Sequence, residues 1–226
     1  SSEQALQEVV YAVSHDMGAS VRAMKGFADL LSRRYGEQLD DNGKNFLKLM
    51  TKGATDLQAQ IDGLLAFSRV TTRGRALTAV SVADVWRSVL ASHSERLAEI
   101  NAVVDQSDLP IVMADEVQLN QLLTELLNNA IKFRRDVPLS LSLSAELCHT
   151  ESSTPEKFWT FRLTDNGRGI TSQHLDRVFQ IFQRLCPDIP GNGVGLAVCQ
   201  QIVQRHGGVI WAESELGVGT KICWTL

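Results

Sequence analysis

No apolar run in the sequence approaches the ~20 residues a bilayer-crossing helix needs, and the opening residues SSEQALQEVV lack the charged and apolar regions of a secretory signal. These residues therefore carry no membrane-spanning helix, and the expected location is the cytoplasm, with anchoring of the full-length protein through an upstream region left open. Cysteine is scarce: Cys148, Cys186, Cys199 and Cys223 are widely scattered, with no CxxC pair and no Cys/His spacing that suits zinc. They read as reduced, structural residues. An excess of one charge is missing as well. The 22 Lys and Arg against 26 Asp and Glu leave a net −4 with the signs intermixed. That gives no basic stripe, so nucleic acid is not an expected partner. What is present is apolar content: 44% hydrophobic residues in 226 can build one large core or two modest ones.

The first third is helical in pattern. Val10, Val13, Met17, Met24, Phe27 and Leu31 alternate steps of three and four, interrupted by Ser20, which predicts one long amphipathic helix over about 3–35. Tyr35-Gly36 ends it. Asp40-Asp41-Asn42 offers N-caps for a second helix carrying Phe46, Met50, Ala54, Leu57, Ile61 and Leu64. A short connection makes the pair a hairpin. Two isolated helices cannot cover both apolar stripes, so a homodimer closing into a four-helix bundle is expected. The polar stretch Arg69 to Arg75 predicts a hinge, and the domains are expected at 1–74 and 78–226.

Beyond the hinge the pattern is that of an α+β sandwich. Helices fit at about 82–100, 115–133 and 194–206, and strands at about 139–146, 158–164, 208–213 and 219–225. His149 to Lys157 reads as a polar hairpin loop. Residues 183–193, with two prolines and two glycines, read as a short lid expected to be disordered without a ligand.

Within LNQLLTELLNNAIKF, at ~100° per residue, Glu125, Asn129 and Lys132 share one face, while Leu123, Leu126, Leu127 and Ala130 take the other. A carboxylate, an amide oxygen and an ammonium so spaced suit a hard, water-retaining Mg²⁺ and the phosphates it bridges. A solvated polar face would look the same. Next, a strand runs into Asp165-Asn166-Gly167-Arg168-Gly169. Such a carboxylate can accept a hydrogen bond from an exocyclic amine, and the glycines let backbone approach a flat base. An ordinary turn has the same letters. Gly191-Asn192-Gly193-Val194-Gly195-Leu196 then opens a helix whose N–H groups can cradle phosphate oxygens.

Taken together and in order, these elements resemble the nucleotide-binding domain shared by sensor histidine kinases, type II topoisomerases and heat-shock chaperone ATPases. The asparagine box is Glu125 to Phe133. The first glycine box is Asp165 to Gly169, the phenylalanine box Val178 to Phe182, and the second glycine box Gly191 to Gly195. The ending Gly207-Gly208-Val209-Ile210-Trp211 and Gly217-Val218-Gly219-Thr220 is similar to the histidine-kinase ending. The resemblance implies ATP and Mg²⁺ as cofactors. It assigns Asn129 to the metal, Lys132 to the phosphates, Phe133 to the side of the adenine and Asp165 to its amine. Gly167, Gly169, Gly193 and Gly195 would serve the nucleotide and its lid, with Leu196 and Thr220 completing the site. Glu125 departs from the usual asparagine. It would be a second metal ligand or, as in the ATPase relatives, the base that activates water.

In the first helix, Ser14-His15-Asp16-Met17 running on to Lys25-Gly26-Phe27 resembles the histidine box of the dimerisation and phosphotransfer domain, in its phytochrome-like branch. The seam positions place His15 on the outer surface. An exposed helical histidine alone would be a surface residue; the neighbouring boxes make it the expected phosphoacceptor, with Asp16 as the group that orients or deprotonates its ring. Gly18 and Ser20 stand where a basic residue and a proline are usual. Ala19 stands where Thr or Asn would position a hydrolytic water, so phosphatase activity is expected to be weak. The remaining histidines, His93, His149, His174 and His206, are expected to be structural or surface residues. The resemblance implies a protein-histidine kinase that serves the receiver domain of a response regulator and takes its signal from an upstream sensor domain. The alternatives are a slow signalling module that binds ATP or a partner kinase, and an ATPase using Glu125.

Overall fold

The computed structural model describes residues 2–72, 74–149, 157–186, 189 and 191–226; the side chains of residues 2–11, His15 and Thr71 lie outside that description. The expected loop at 150–156 and lid residues 187, 188 and 190 also fall outside it. Among the described residues, no helix is long and apolar enough to cross a membrane.

The chain begins with two long helices, α1 (Ser2–Tyr35) and α2 (Asp41–Thr72), joined by a 3-10 turn at Gly36–Gln38. The side chain of Asp40 accepts from the Gly43 N–H at 2.7 Å and starts α2. Val21, Ile61 and Leu65 form the small core between the helices, with Ala54 packed on it. Gly18 is buried there too: a Cβ at this position would stand 3.5 Å from Ile61 Cγ2 and 3.1 Å from the Arg22 guanidinium. Gly18 therefore lets α1 approach α2.

The predicted seam remains uncovered in the single hairpin. Phe27 is 70% exposed and Phe46 63%, and Val13, Met17, Met24, Leu31 and Met50 are exposed with them. A monomer thus leaves a continuous apolar stripe in water.

After α2 come β1 (Thr78–Ser81), α3 (Val82–Ser92), α4 (Ser94–Glu99), β2 (Val103–Gln106) and β3 (Ile111–Ala114). They are followed by α5 (Glu116–Lys132), β4 (Ser140–His149), β5 (Lys157–Asp165), α6 (Gly195–Arg205), β6 (Ile210–Glu215) and β7 (Gly219–Thr225). Among the described residues β1 pairs with β3 alone; the main sheet runs β2-β4-β5-β7-β6, antiparallel except for β2 against β4. One face of the main sheet supplies Leu141, Leu143, Phe161, Leu163, Ile222 and Trp224 to a core shared with Trp86, Leu122, Leu126 and Ile202 from the helices. This is the expected two-layer arrangement, with Phe161 stacked on Trp224 at 5.3 Å. The expected helix at 82–100 is in fact two, broken at His93 (φ −116°, ψ 9°).

Two residues of the stretch expected to be a hinge, Val70 and Arg75, are tied down. Val70 is buried in the core of the following domain, and its carbonyl accepts from Gln118 Nε2 at 2.7 Å. The Arg75 N–H donates to Asp115 at 2.6 Å, and Arg205 donates to both Asp115 and Gln118. His206 is not a bland surface residue, because its Nε2 accepts the Asp115 N–H at 3.0 Å while Nδ1 lies 2.7 Å from the Ile202 carbonyl. Its neutral tautomer thus carries the proton on Nδ1.

Candidate functional site

α5 starts because Asp115 caps it, its carboxylate accepting the N–H groups of Val117 and Gln118. Burial of Leu119, Leu122, Leu123, Leu126, Leu127 and Ile131 then fixes the rotation of the helix. That rotation turns Glu125, Asn129 and Lys132 into a cavity of about 440 Å³, the size range of small-molecule sites. The far wall is the end of β5 with Asp165. The roof is residues 183–186, Ile189 and the second glycine box, and the floor includes Leu163 and Ile222.

The cavity brings together Glu125, Asn129, Lys132, Phe133, Asp165, Gly169, Gly193, Gly195, Leu196 and Thr220. Gly167 is not part of the wall. Its N–H instead donates to Asp165 Oδ1 at 2.7 Å, and the Thr220 N–H reaches the same oxygen at 3.3 Å. Gly169 (φ 73°) and Gly193 (φ 68°) need the left-handed region, and a Cβ on Gly169 would overlap the Glu215 carbonyl. A Cβ on Gly195 would meet the Glu125 carboxylate at 2.6 Å, so α6 opens directly against that side chain.

Burial pushes the Glu125 carboxyl above its ordinary value, and the Lys132 ammonium pulls the other way. Burial also raises Asp165, against the two backbone donors that favour its charged form. Lys132 is held below the usual lysine range by burial and by the nearby Arg184 charge; its Nζ sits 4.8 Å over the Phe133 ring. Asn129 Nδ2 is buried without a hydrogen-bond partner among the described residues. An amide buried yet unpartnered in a cavity is one that a ligand is expected to satisfy.

Asp16 is exposed on α1 and is not among the residues lining the cavity. The backbone of His15 lies within α1, but its side chain is outside the described set. The sequence reading missed the apolar walls, Ile170, Leu185, Leu216 and Ile222, and gave no site role to His174, expected as a structural or surface residue, although it lines the cavity. The walls carry no local signature, being ordinary apolar residues brought in by the fold. All four cysteines are free thiols; Cys199 and Cys223 are buried, and Cys186 stands in the cavity wall.

A two-layer α/β domain in which one cavity joins glycine-rich turns, an asparagine with an unpartnered amide and a largely buried aspartate, packed on a helical hairpin, has the form of a nucleotide-binding catalytic core. Comparison with known families agrees. Residues 114–226 match the histidine kinase-, DNA gyrase B- and HSP90-like ATPase family, and residues 5–73 match the phospho-acceptor domain of histidine kinases. The chain belongs to the histidine kinase family.

Its relatives include cyanobacterial phytochrome A of Nostoc sp., 36% identical over all of this chain and 29% of the relative. The phytochrome-like protein Cph1 of Synechocystis sp. is 34% identical over 98% of this chain and 29% of the relative. The chain thus spans under a third of the length of these relatives. Among solved structures, full-length ShkA in complex with AMPPNP has the same fold, with a TM-score of 0.65 and 24% identity over 96% of this chain and 45% of that one.

Proposed function

We propose that this chain autophosphorylates His15 with ATP and passes the phosphoryl group to an aspartate on the receiver domain of a response regulator. The observation that carries this reading is that one cavity joins Asn129, Lys132 and Asp165 to the second glycine box, in a chain whose first helix bears His15-Asp16. Asp165 would accept the amine of the adenine through the oxygen its backbone donors leave unused. Phe133 would flank the base. Lys132 and the N–H groups opening α6 would hold the phosphates. Asn129 and Glu125, one turn apart on α5 and both in the cavity wall, would supply an amide oxygen and a carboxylate, a donor set that fits Mg²⁺. That ion, when bound, would neutralise phosphate charge during transfer.

In the transfer step a lone pair on a neutral His15 ring nitrogen forms the P–N bond as the bond from the γ-phosphorus to the bridging oxygen breaks, releasing ADP. Asp16 takes a hydrogen bond or the proton from the other ring nitrogen. The exposed stripe at Met17, Met24 and Phe27 supports assembly of two hairpins into a four-helix bundle. The receiver domain would dock beside His15 on Ala19, Ser20 and Arg22, which are exposed, and on the facing turns of α2. Ala19 lacks a polar group to orient water, so dephosphorylation of the regulator would be slow.

One observation favours a second reading. Glu125 lies in the cavity with a carboxyl raised by burial, as a base that activates water would be. Incubation with γ-labelled ATP and Mg²⁺ separates the two. Acid-labile label lost in His15→Gln and retained in Glu125→Asn supports the kinase. Phosphate release that persists in His15→Gln and disappears in Glu125→Asn supports the ATPase.

A further inference from the structure

Arg135 lies three residues past the end of α5, is half-buried, and is not part of the cavity wall. Its Nε donates to the Asn166 carbonyl at 2.8 Å and its Nη1 to the Gly217 carbonyl at 2.7 Å. Those acceptors belong to different segments. Asn166 is in the turn that follows Asp165, and Gly217 is in the turn between β6 and β7. One planar guanidinium thus fastens two loops that are otherwise distant in sequence.

The same two loops aim Asp165. The Gly167 N–H, from the first loop, and the Thr220 N–H, from the strand leaving the second, converge on Oδ1. The loops also approach each other without side chains between them. The Gly217 N–H donates to the Arg168 carbonyl at 2.7 Å, and a Cβ on Gly219 would overlap the Asp165 carbonyl. Asn166 completes the fastening on the other side, where its side chain donates to the Pro138 carbonyl and accepts the Ser140 N–H. Any widening between the turns moves the Thr220 donor away from Asp165, whose contact at 3.3 Å has little slack.

We infer that Arg135 is a positioning residue that sets the base selectivity of the nucleotide site, acting through Asp165 by locking the turn after β5 to the β6–β7 turn. The inference rests on the reading of Asp165 as the acceptor for the adenine amine. A purine with a carbonyl at that position presents an acceptor to an acceptor, so the discrimination depends on Asp165 being held in one place. Arg135 does not touch the nucleotide. Both of its acceptors are main-chain carbonyls, so the geometry of the fork carries the effect, beyond what charge alone supplies.

The test compares ATP and GTP binding to the wild-type chain, Arg135→Lys, Arg135→Met and Asp165→Asn, with thermal melting of each. The expected result is that Arg135→Met weakens ATP roughly tenfold and leaves GTP nearly unchanged, the loss expected when a hydrogen-bonded position is released. Arg135→Lys, which cannot span both carbonyls, should recover only part of the ATP preference. An ATP-to-GTP ratio equal to wild type in Arg135→Met overturns the inference. So does full recovery by Arg135→Lys, or an equal loss for both nucleotides tracking the fall in melting temperature. If Asp165→Asn binds ATP as wild type does, the Asp165 reading itself has failed. If Asp165→Asn loses ATP and Arg135→Met does not, only the role of Arg135 has failed.

Discussion

The side-chain amide of Asn192, in the second glycine box, donates to the main-chain carbonyl of Ala59 in the middle of α2 at 3.0 Å. Its Oδ1 accepts the Val194 N–H at 3.1 Å, so one side chain both shapes the start of α6 and docks it on the hairpin. The docking needs Gly63, where a Cβ would stand 2.6 Å from Asn192 Nδ2 and 2.8 Å from Val194 Cγ2.

Glycine inside a helix costs about 1 kcal/mol relative to alanine. Gly63→Ala should therefore stabilise the isolated packing of α2 while forcing the second glycine box off it. Hydrogen exchange is expected to quicken at Val194 and in the first turn of α6 and to stay slow in α5. Unchanged protection at Val194 would count against the contact.

Asp165 is a carboxyl that burial raises above its ordinary value of 3.8. The folded chain therefore binds more protons than the unfolded one between 3.8 and the raised value, and stability falls as pH rises through that window. With Asp165 as the proposed acceptor for the adenine amine, ATP affinity should fall on acidification while pH is still above 3.8. In Asp165→Asn the acid-side fall disappears with the binding, and melting at neutral pH should rise by a few degrees, about 0.5–1 kcal/mol. Titration calorimetry across pH, with melting curves, reads both.

Asp115 behaves in the opposite sense. Burial works against its charge, but the N–H groups of Arg75, Gln118 and Val117 and the Arg205 guanidinium outweigh it and hold the carboxyl below 3.8. Its stabilisation is complete above that value and is lost as pH falls through the lower, folded one. Arg205→Met leaves a buried carboxylate with only backbone donors and should cost about 1–3 kcal/mol by denaturant unfolding.

Phe27→Glu places a charge in the uncovered stripe of α1. Burial of a phenylalanine contributes about 1.5–3 kcal/mol per chain, so sedimentation should show the dimer replaced by monomer at micromolar concentration. A melting transition for the domain holding the cavity should persist. A dimer as tight as wild type would place the assembly surface elsewhere.

The sequence makes the long elements legible. α1, α2, α5 and α6 and the strands around Leu141, Phe161 and Trp224 lie where their apolar periods put them, because each is long enough to show a period. β1, β2 and β3 are missed: four residues hold only two turns of a period-two pattern, and the exposed Ile111 and Met113 blur even that. The glycine, asparagine and aspartate positions in the cavity wall are legible because they stand at fixed local spacings in the sequence. Arg135, Arg205 and His206 are not, since their partners Gly217, Asp115 and again Asp115 lie 82, 90 and 91 residues away and no local pattern reports such a meeting.

Val70, at the end of α2, is 2% exposed within the core of the next domain, with its carbonyl held by Gln118. A flexible tether would let the nucleotide domain drift through a continuum of orientations. A buried joint does not, because a close-packed contact is either made or broken and intermediate separations lose packing without gaining water. Signals entering along the hairpin would then be read as a choice between discrete seatings of one domain on the other, a digital output from a mechanical input.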